Sequence, residues 1–175
     1  GYEETGEIDG SWQLSIIGTE QLTNTNDQAW NRLVWMENMG QWVAISVTSD
    51  KNDVALCGSD NTTWQFNSLP TSSVDNDIAY GNGNVVIVNG SDASTAIYYS
   101  ADGSTWTSPG APRTEIYMSV AYGGGKFVAV AASAGTKGAI YALDSDLDNW
   151  QEGGDTPDGS NWESVAYGDG KFVAV

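Results

Sequence analysis

Residues 119–130 read SVAYGGGKFVAV and residues 164–175 read SVAYGDGKFVAV, twelve positions with a single change. Copying at that length is an architectural signal, because a supersecondary unit duplicated in tandem keeps the residues that pack against its neighbours. Each copy is an apolar run, a Gly-containing break and a second apolar run, which reads as strand, tight turn, strand. Glycine supplies the positive φ that short hairpin turns require, and the alternating Val and Ala suit closely packed sheet faces.

Aligning outward on the aromatic that closes the first strand gives Trp35, Tyr80, Tyr122 and Tyr167, spaced 45, 42 and 45 residues apart. The copies start with NRLVW, DNDIAY, YMSVAY and WESVAY and resume, after the break, with QWVAISV, NVVIV, KFVAVAA and KFVAV. Further along come DVALCGSDNTTWQF, TAIYYSADGSTWTS and GAIYALDSDLDNWQE, each read as a third strand, a polar turn and a short fourth strand opening on Trp. Those residues are Trp64, Trp106 and Trp150, each with an Asp four positions earlier: Asp60, Asp102 and Asp146. An Asp carboxylate accepts backbone N–H groups of a turn, and a large aromatic ring can wedge between neighbouring sheets.

Four strands per unit of about 43 residues, with no helical periodicity, predict an all-β chain: a β-propeller of four-stranded antiparallel blades. The expected boundaries are a partial blade and connection over 1–29, blades over 30–70, 71–112 and 113–156, and a partial blade over 157–175. EIDGSWQLS near the amino end places Trp12 where the other copies carry Trp64, Trp106 and Trp150. Two architectures fit: a ring closed by strand exchange between first and last strands, or part of a larger propeller or array. Closure would remove the unpaired strand edges.

The 175 residues are enough for an ordinary core, with 40% hydrophobic side chains. Asp and Glu number 23 against 6 Lys and Arg, with no His, for a formal net charge of -17. That charge disfavours nucleic acid and anionic membranes as partners, and fits an extracellular, marine or halophilic setting. Without His, Ser-His-Asp and Cys-His mechanisms are closed. Cys57 is the only cysteine, so no intrachain disulfide exists, and it reads as a small buried side chain. No run approaches the roughly 18 apolar residues of a membrane-spanning helix. GYEETGEIDG at the amino end shows neither Met nor a signal-peptide pattern, so a piece of something longer is expected.

SADGSTW, Ser100 to Trp106, resembles the Asp-box of sialidase-like propellers. The whole unit is similar to the repeats of bacterial surface and phage tail-fibre propellers, over nearly the whole chain. The chain departs from the pattern by lacking one residue between Asp102 and Gly103. SDNTTW and DSDLDNW keep Asp and Trp but lose the Gly. In that family the Asp-box is a structural turn remote from the active site, so the resemblance implies a fold and no activity. Sialidases in it hold the substrate carboxylate with three Arg, whereas this chain has only Arg32 and Arg113. No enzyme is expected.

Among candidate sites, YGGGKF lacks the helix and the Ser/Thr of a phosphate-binding loop, because Phe127 follows Lys126. In DSDLDNWQE, Asp144, Asp146, Asp148 and Glu152 alternate in a way that could converge on Ca²⁺, a hard cation taking six to eight oxygens. The segment resembles the calcium loops of integrin-type propellers, with Asn149 where Gly is usual. The alternative reading is a structural turn at Asp146 with solvated neighbours. Asn61 and Asn89 begin glycosylation sequons. The recurring Trp and Tyr read as blade packing, with Trp30 and Trp42 the candidates for sugar stacking.

The functional expectation is a non-enzymatic binding or structural module of an extracellular surface, adhesion or phage tail-fibre protein, with a protein or glycan ligand. Two alternatives stand beside it: a filament subunit joined by blade completion between copies, and a segment of a glycan-active enzyme with catalytic residues elsewhere.

Overall fold

The computed structural model describes residues 29–47, 54–59, 63–71, 74–90, 95–132, 138–154 and 161–175. Their strands form four antiparallel sheets. The first contains β1 (Trp30–Met36), β2 (Gln41–Ser46), β3 (Val54–Gly58) and β4 (Trp64–Asn67) in sequence order. The second contains β5 (Asp75–Gly81), β6 (Asn84–Asn89) and β7 (Ile97–Ser100). The third contains β8 (Ile116–Gly123), β9 (Lys126–Ala132), β10 (Ala139–Leu143) and β11 (Asp146–Glu152). The fourth is a hairpin of β12 (Val165–Gly168) and β13 (Lys171–Ala174). Among the described residues no sheet closes into a ring, and no third strand joins β13.

The hairpin turns explain the one change in the duplicated twelve residues. Asn82–Gly83, Gly124–Gly125 and Asp169–Gly170 join first and second strands with both residues at positive φ, between 45° and 81°. A two-residue turn of that kind matches the right-handed twist of the strands it connects. Its first position accepts Gly, Asn or Asp because those residues tolerate the left-handed region, so Gly124 and Asp169 are interchangeable solutions to one requirement.

Two sheets depart from the expected four uniform strands. In the second, the fourth strand shrinks to a single bridge between Tyr99 and Thr107, because residues 100–105 fold into a side-chain-capped turn. In the third, β11 opens at Asp146 rather than at Trp150. Leu147 stands where the second sheet has Gly103; it cannot easily take the φ of +74° found there, and instead extends and buries its side chain.

Burial falls between sheets. One core cluster joins Val43, Ile45 and Leu56 of the first sheet to Ile78, Ile87 and Tyr98 of the second. Another joins Val86, Val88 and Ile97 of the second to Phe127, Ala129 and Ile140 of the third. Each of the larger of these side chains contributes about 1.5–3 kcal/mol when removed from water, so the sheets hold one another in place. β1 lies beside β5, β5 beside β8, and β8 beside β12, giving a row of first strands along one side of the molecule.

Candidate functional site

The seam between first strands is built from the same repeat positions each time. Three residues before the aligned aromatic stand Arg32, Asp77 and Ser119. Asp77 Oδ2 accepts the Ser119 hydroxyl at 2.7 Å and the Val120 N–H at 3.0 Å. Ser119 Oγ accepts the Val165 N–H of the next sheet at 3.2 Å, and Arg32 Nε lies 3.6 Å from Asp77 Oδ1. Asn76 adds a 2.7 Å bond from its Nδ2 to the Tyr117 carbonyl.

The aligned aromatics complete each seam. A β-carbon placed on Gly81 would stand 2.0 Å from the Tyr122 ring, and one on Gly123 2.1 Å from the Tyr167 ring. These glycines end strands instead of forming turns, and their missing side chains leave seats for the next sheet's ring. Tyr80 meets a different neighbour: its hydroxyl donates to Asn38 Oδ1 and accepts the Asn38 N–H, at 3.2 and 3.3 Å. The strand–turn–strand reading of the repeat gives these glycines no role apart from the Gly-containing break. Their placement before, not within, the two-residue turn was the available signal.

Asp102 caps a turn of its own. Its Oδ1 accepts the Ser104 and Thr105 N–H groups, each at 2.7 Å, while Ser100 Oγ accepts the Gly103 N–H at 2.8 Å. The two backbone donors hold the Asp102 carboxyl down to about 2. The turn docks on the preceding sheet, where Gln41 Nε2 donates to the Asp102 carbonyl at 2.8 Å. A β-carbon on Gly103 would lie 2.9 Å from Leu56 Cδ2. Trp106 shares a core cluster with Val43 and Leu56 of the first sheet, and Trp150 shares one with Val86 and Ile97 of the second. Trp64 packs with Ala44, Ala55 and Cys57 of its own sheet. Trp30 and Trp42 pack against that same cluster, Trp30 beside Phe66 at 5.9 Å between ring centroids. Asp60, Asn61 and Trp12 lie outside the described residues.

The acidic segment, expected as a calcium loop, lies in and just before a strand. Residues 146–152 are a strand, which spaces carboxylates along an extended backbone. Asp144 Oδ2 accepts the Tyr122 hydroxyl, and Asp148 Oδ1 the Tyr99 hydroxyl, both at 2.7 Å. Glu152 faces Arg113 at 3.6 Å, and Asp146 is exposed at the strand's start. Among the described residues no group of three or more acidic, Cys or His side chains is placed to hold a metal. The hydrogen bond to Asp144, with some burial, pushes the Tyr122 hydroxyl up to about 12. Asn89, which begins the second sequon, is fully buried in β6, and its Nδ2 donates to the Thr95 carbonyl at 2.7 Å.

Beside these struts, Tyr141, Leu143, Asp146, Asn149 and Gln151 line an open groove of about 190 Å³ on β10 and β11. Among the described residues β11 is the outer edge of its sheet. Tyr141 donates to Gln151 Oε1 at 2.8 Å, and Lys126 Nζ stands 5.8 Å from the Tyr141 ring centroid. Leu143 is half exposed. The groove combines an aromatic wall, an aliphatic side chain, two amides and one unshielded carboxylate.

Neither a protein-family profile nor a curated protein matches the chain. Solved structures do. YCF48, a β-propeller described as bound to D1 peptide, superposes with a TM-score of 0.60 at 14% identity, over 85% of this chain and 48% of its own. The computationally designed Ika4 protein gives 0.57 at 13% identity over 86% of this chain and 87% of its own. The designed Ika8 protein gives 0.58 at 14% identity, covering 83% and 42%. The chain thus spans about half the length of YCF48, and the likeness is one of fold: antiparallel sheets arranged as in a β-propeller.

Proposed function

We propose that this chain is a non-enzymatic propeller module that binds an extended, cationic protein segment, as part of an extracellular adhesion or virion-fibre protein. The carrying observation is the use of its carboxylates. Asp77, Asp102, Asp144, Asp148 and Glu152 are each committed to a neighbouring strand, turn or cation. A carboxylate holding a turn together is poorly suited to cycle a proton, so structural and binding roles fit these residues better than general acid–base work.

The β10–β11 groove is the binding surface in this reading. A free strand edge pairs with an added extended segment through main-chain hydrogen bonds, and adjacent pockets select side chains. Asp146 supplies charge, while Tyr141 and Leu143 supply apolar surface for the stem of a Lys or Arg. The net charge of -17 steers a cationic partner towards the protein and repels an acidic one. The Asp102 turn and its Asp-box-like bonding belong to the scaffold. The fold neighbour described with a bound peptide lends support to a protein partner.

An array of cationic and acidic 15-residue peptides, printed beside neutral and sialylated glycans, tests this reading. Saturable binding to cationic peptides, weakened by salt and by Asp146→Lys, is expected. Binding confined to glycans would overturn the partner class. Hydrolysis of any member of a fluorogenic glycoside panel would overturn the non-enzymatic assignment.

A further inference from the structure

Twelve nearly identical residues occupy two places in the row of sheets, and the surface that receives the first copy contacts what the two copies share. The second sheet meets the β8–β9 hairpin in three ways. Asp77 Oδ2 accepts the Ser119 hydroxyl and the Val120 N–H. The Tyr122 ring fills the seat at Gly81. Val120, Phe127 and Ala129 join Ala79, Val86, Val88 and Ile97 in one buried cluster. The second copy carries the same groups in the same order: Ser164, Val165, Tyr167, Phe172 and Ala174.

The copies also share their shape. Val120 pairs with Ala129 as Val165 pairs with Ala174, and Tyr122 with Phe127 as Tyr167 with Phe172. Both aromatic pairs stand 4.8 Å apart between ring centroids, and both turns hold two residues at positive φ. In its own place the second hairpin meets Ser119 Oγ, a neutral oxygen that accepts the Val165 N–H at 3.2 Å. Asp77 would offer it a carboxylate, the stronger acceptor, for the Val165 N–H and the Ser164 hydroxyl together.

We infer that the second sheet accepts either hairpin, so that a refolding chain partitions between the native stack and a skipped one. In the skipped stack residues 164–175 sit on Asp77 and Gly81, and the third sheet is left out. The longer connection is a small obstacle, because loop-closure entropy grows only with the logarithm of length. The native order wins at equilibrium because the first hairpin brings β10 and β11 with it, whose Ile140, Ala142, Leu147 and Trp150 complete the cluster. The skipped stack is therefore a trap, left by undocking. Synthesis from the amino end presents residues 119–130 first, so the trap belongs to refolding of the whole chain. The exchange concerns how the scaffold assembles and goes beyond the binding role proposed above.

Refolding from urea, followed by pulsed hydrogen exchange and mass spectrometry of peptides spanning 116–132 and 161–175, separates the two stacks. A lone two-stranded hairpin is marginal in water, so protection of 161–175 reports docking. Its native seat, at Gly123 and Ser119, exists only once 116–132 is ordered. The wild-type chain is expected to show a transient population protected in 161–175 and unprotected in 116–132. Its decay should be insensitive to prolyl isomerase, unlike a proline-limited phase. Ser164→Leu is expected to shrink that population about tenfold, because a larger apolar side chain overpacks the seat and lacks the hydroxyl. Ser119 is only 5% exposed in that seat, whereas Ser164 is exposed in its own place, so the melting temperature should not change. Protection of 116–132 that precedes or accompanies that of 161–175 in every molecule would overturn the inference. So would equal populations in wild type and Ser164→Leu, because the early-docked hairpin would then sit somewhere other than Asp77.

Discussion

The Tyr167 ring lies over Gly123 so closely that its Cγ and Cδ1 stand 2.1 Å from the site of a glycine β-carbon. No side chain fits there without moving the fourth sheet away from the third. Gly123→Ala is therefore expected to destabilise by about 3 kcal/mol, as overpacking of a close-packed contact does. For a chain of this size that lowers the melting temperature by roughly 10 °C. Gly168→Ala, in the same Tyr-Gly dipeptide, meets open space and is expected to change stability by less than about 0.5 kcal/mol. Equal effects in parallel calorimetric melts would show that the glycine, and not its neighbour's ring, sets the cost.

Asp102 should govern part of the acid limb of stability. Its folded-state carboxyl is held at about 2, below the ordinary value of 3.8, by the Thr105 and Ser104 N–H groups. A depressed folded value means that the contribution is present above about pH 4 and lost as pH falls towards 2. Asp102→Ala is expected to cost about 2 kcal/mol near neutral pH, the range of charge-assisted hydrogen bonds. The difference from wild type should shrink as both are titrated from pH 4 to pH 2. Urea unfolding at successive pH values measures it, and a pH-independent difference would count against the capping role.

The repeat period and the hairpins were legible because both are local. Spacing between aligned aromatics is a property of the sequence, and a two-residue turn announces itself through Asn-Gly, Gly-Gly or Asp-Gly. What joins the sheets was less legible. Asp77 looks like any acid in a polar run, and only the placement of Ser119 and Val120 beside it makes it a strut. The strand over residues 146–152 was hidden for a related reason. Alternating carboxylates converge in a loop but spread along a strand, and Leu147, in place of Gly103, decides between the two.

Asp77 and Ser119 should be energetically coupled. Asp77→Ala removes the acceptor for the Ser119 hydroxyl and the Val120 N–H, at an expected cost of about 2 kcal/mol. Ser119→Ala is expected to cost about 1 kcal/mol, because the Val165 N–H also loses its acceptor. The double variant should fall short of the sum by about 1 kcal/mol, the signature of a direct bond. Strict additivity in denaturant unfolding would show that the two residues act separately.

Calcium should leave the fold unaffected beyond general screening. Asp144 and Asp148 already bond Tyr122 and Tyr99, and Glu152 already faces Arg113. Thermal melts in chelator, in Ca²⁺ and in Mg²⁺ at matched ionic strength are expected to separate chelator from metal only as screening of the acidic surface requires. A rise specific to Ca²⁺ would show that these carboxylates rearrange to bind it.

Phe127 and Phe172 offer the sharpest comparison, since they occupy the same place in twelve nearly identical residues. Phe127 is completely buried, in a cluster with Val86, Ile97, Ile140 and Trp150 from the second and third sheets. Truncation to Ala leaves a cavity lined on several sides, and about 3–5 kcal/mol is expected. Phe172 is partly covered and pairs with the exposed Tyr167. Its truncation should cost about 1 kcal/mol in the monomer, because solvent already reaches the ring and no closed cavity forms. Chemical denaturation of both variants at low chain concentration measures the gap. Equal costs at low concentration would mean that the fourth sheet is packed as fully as the third.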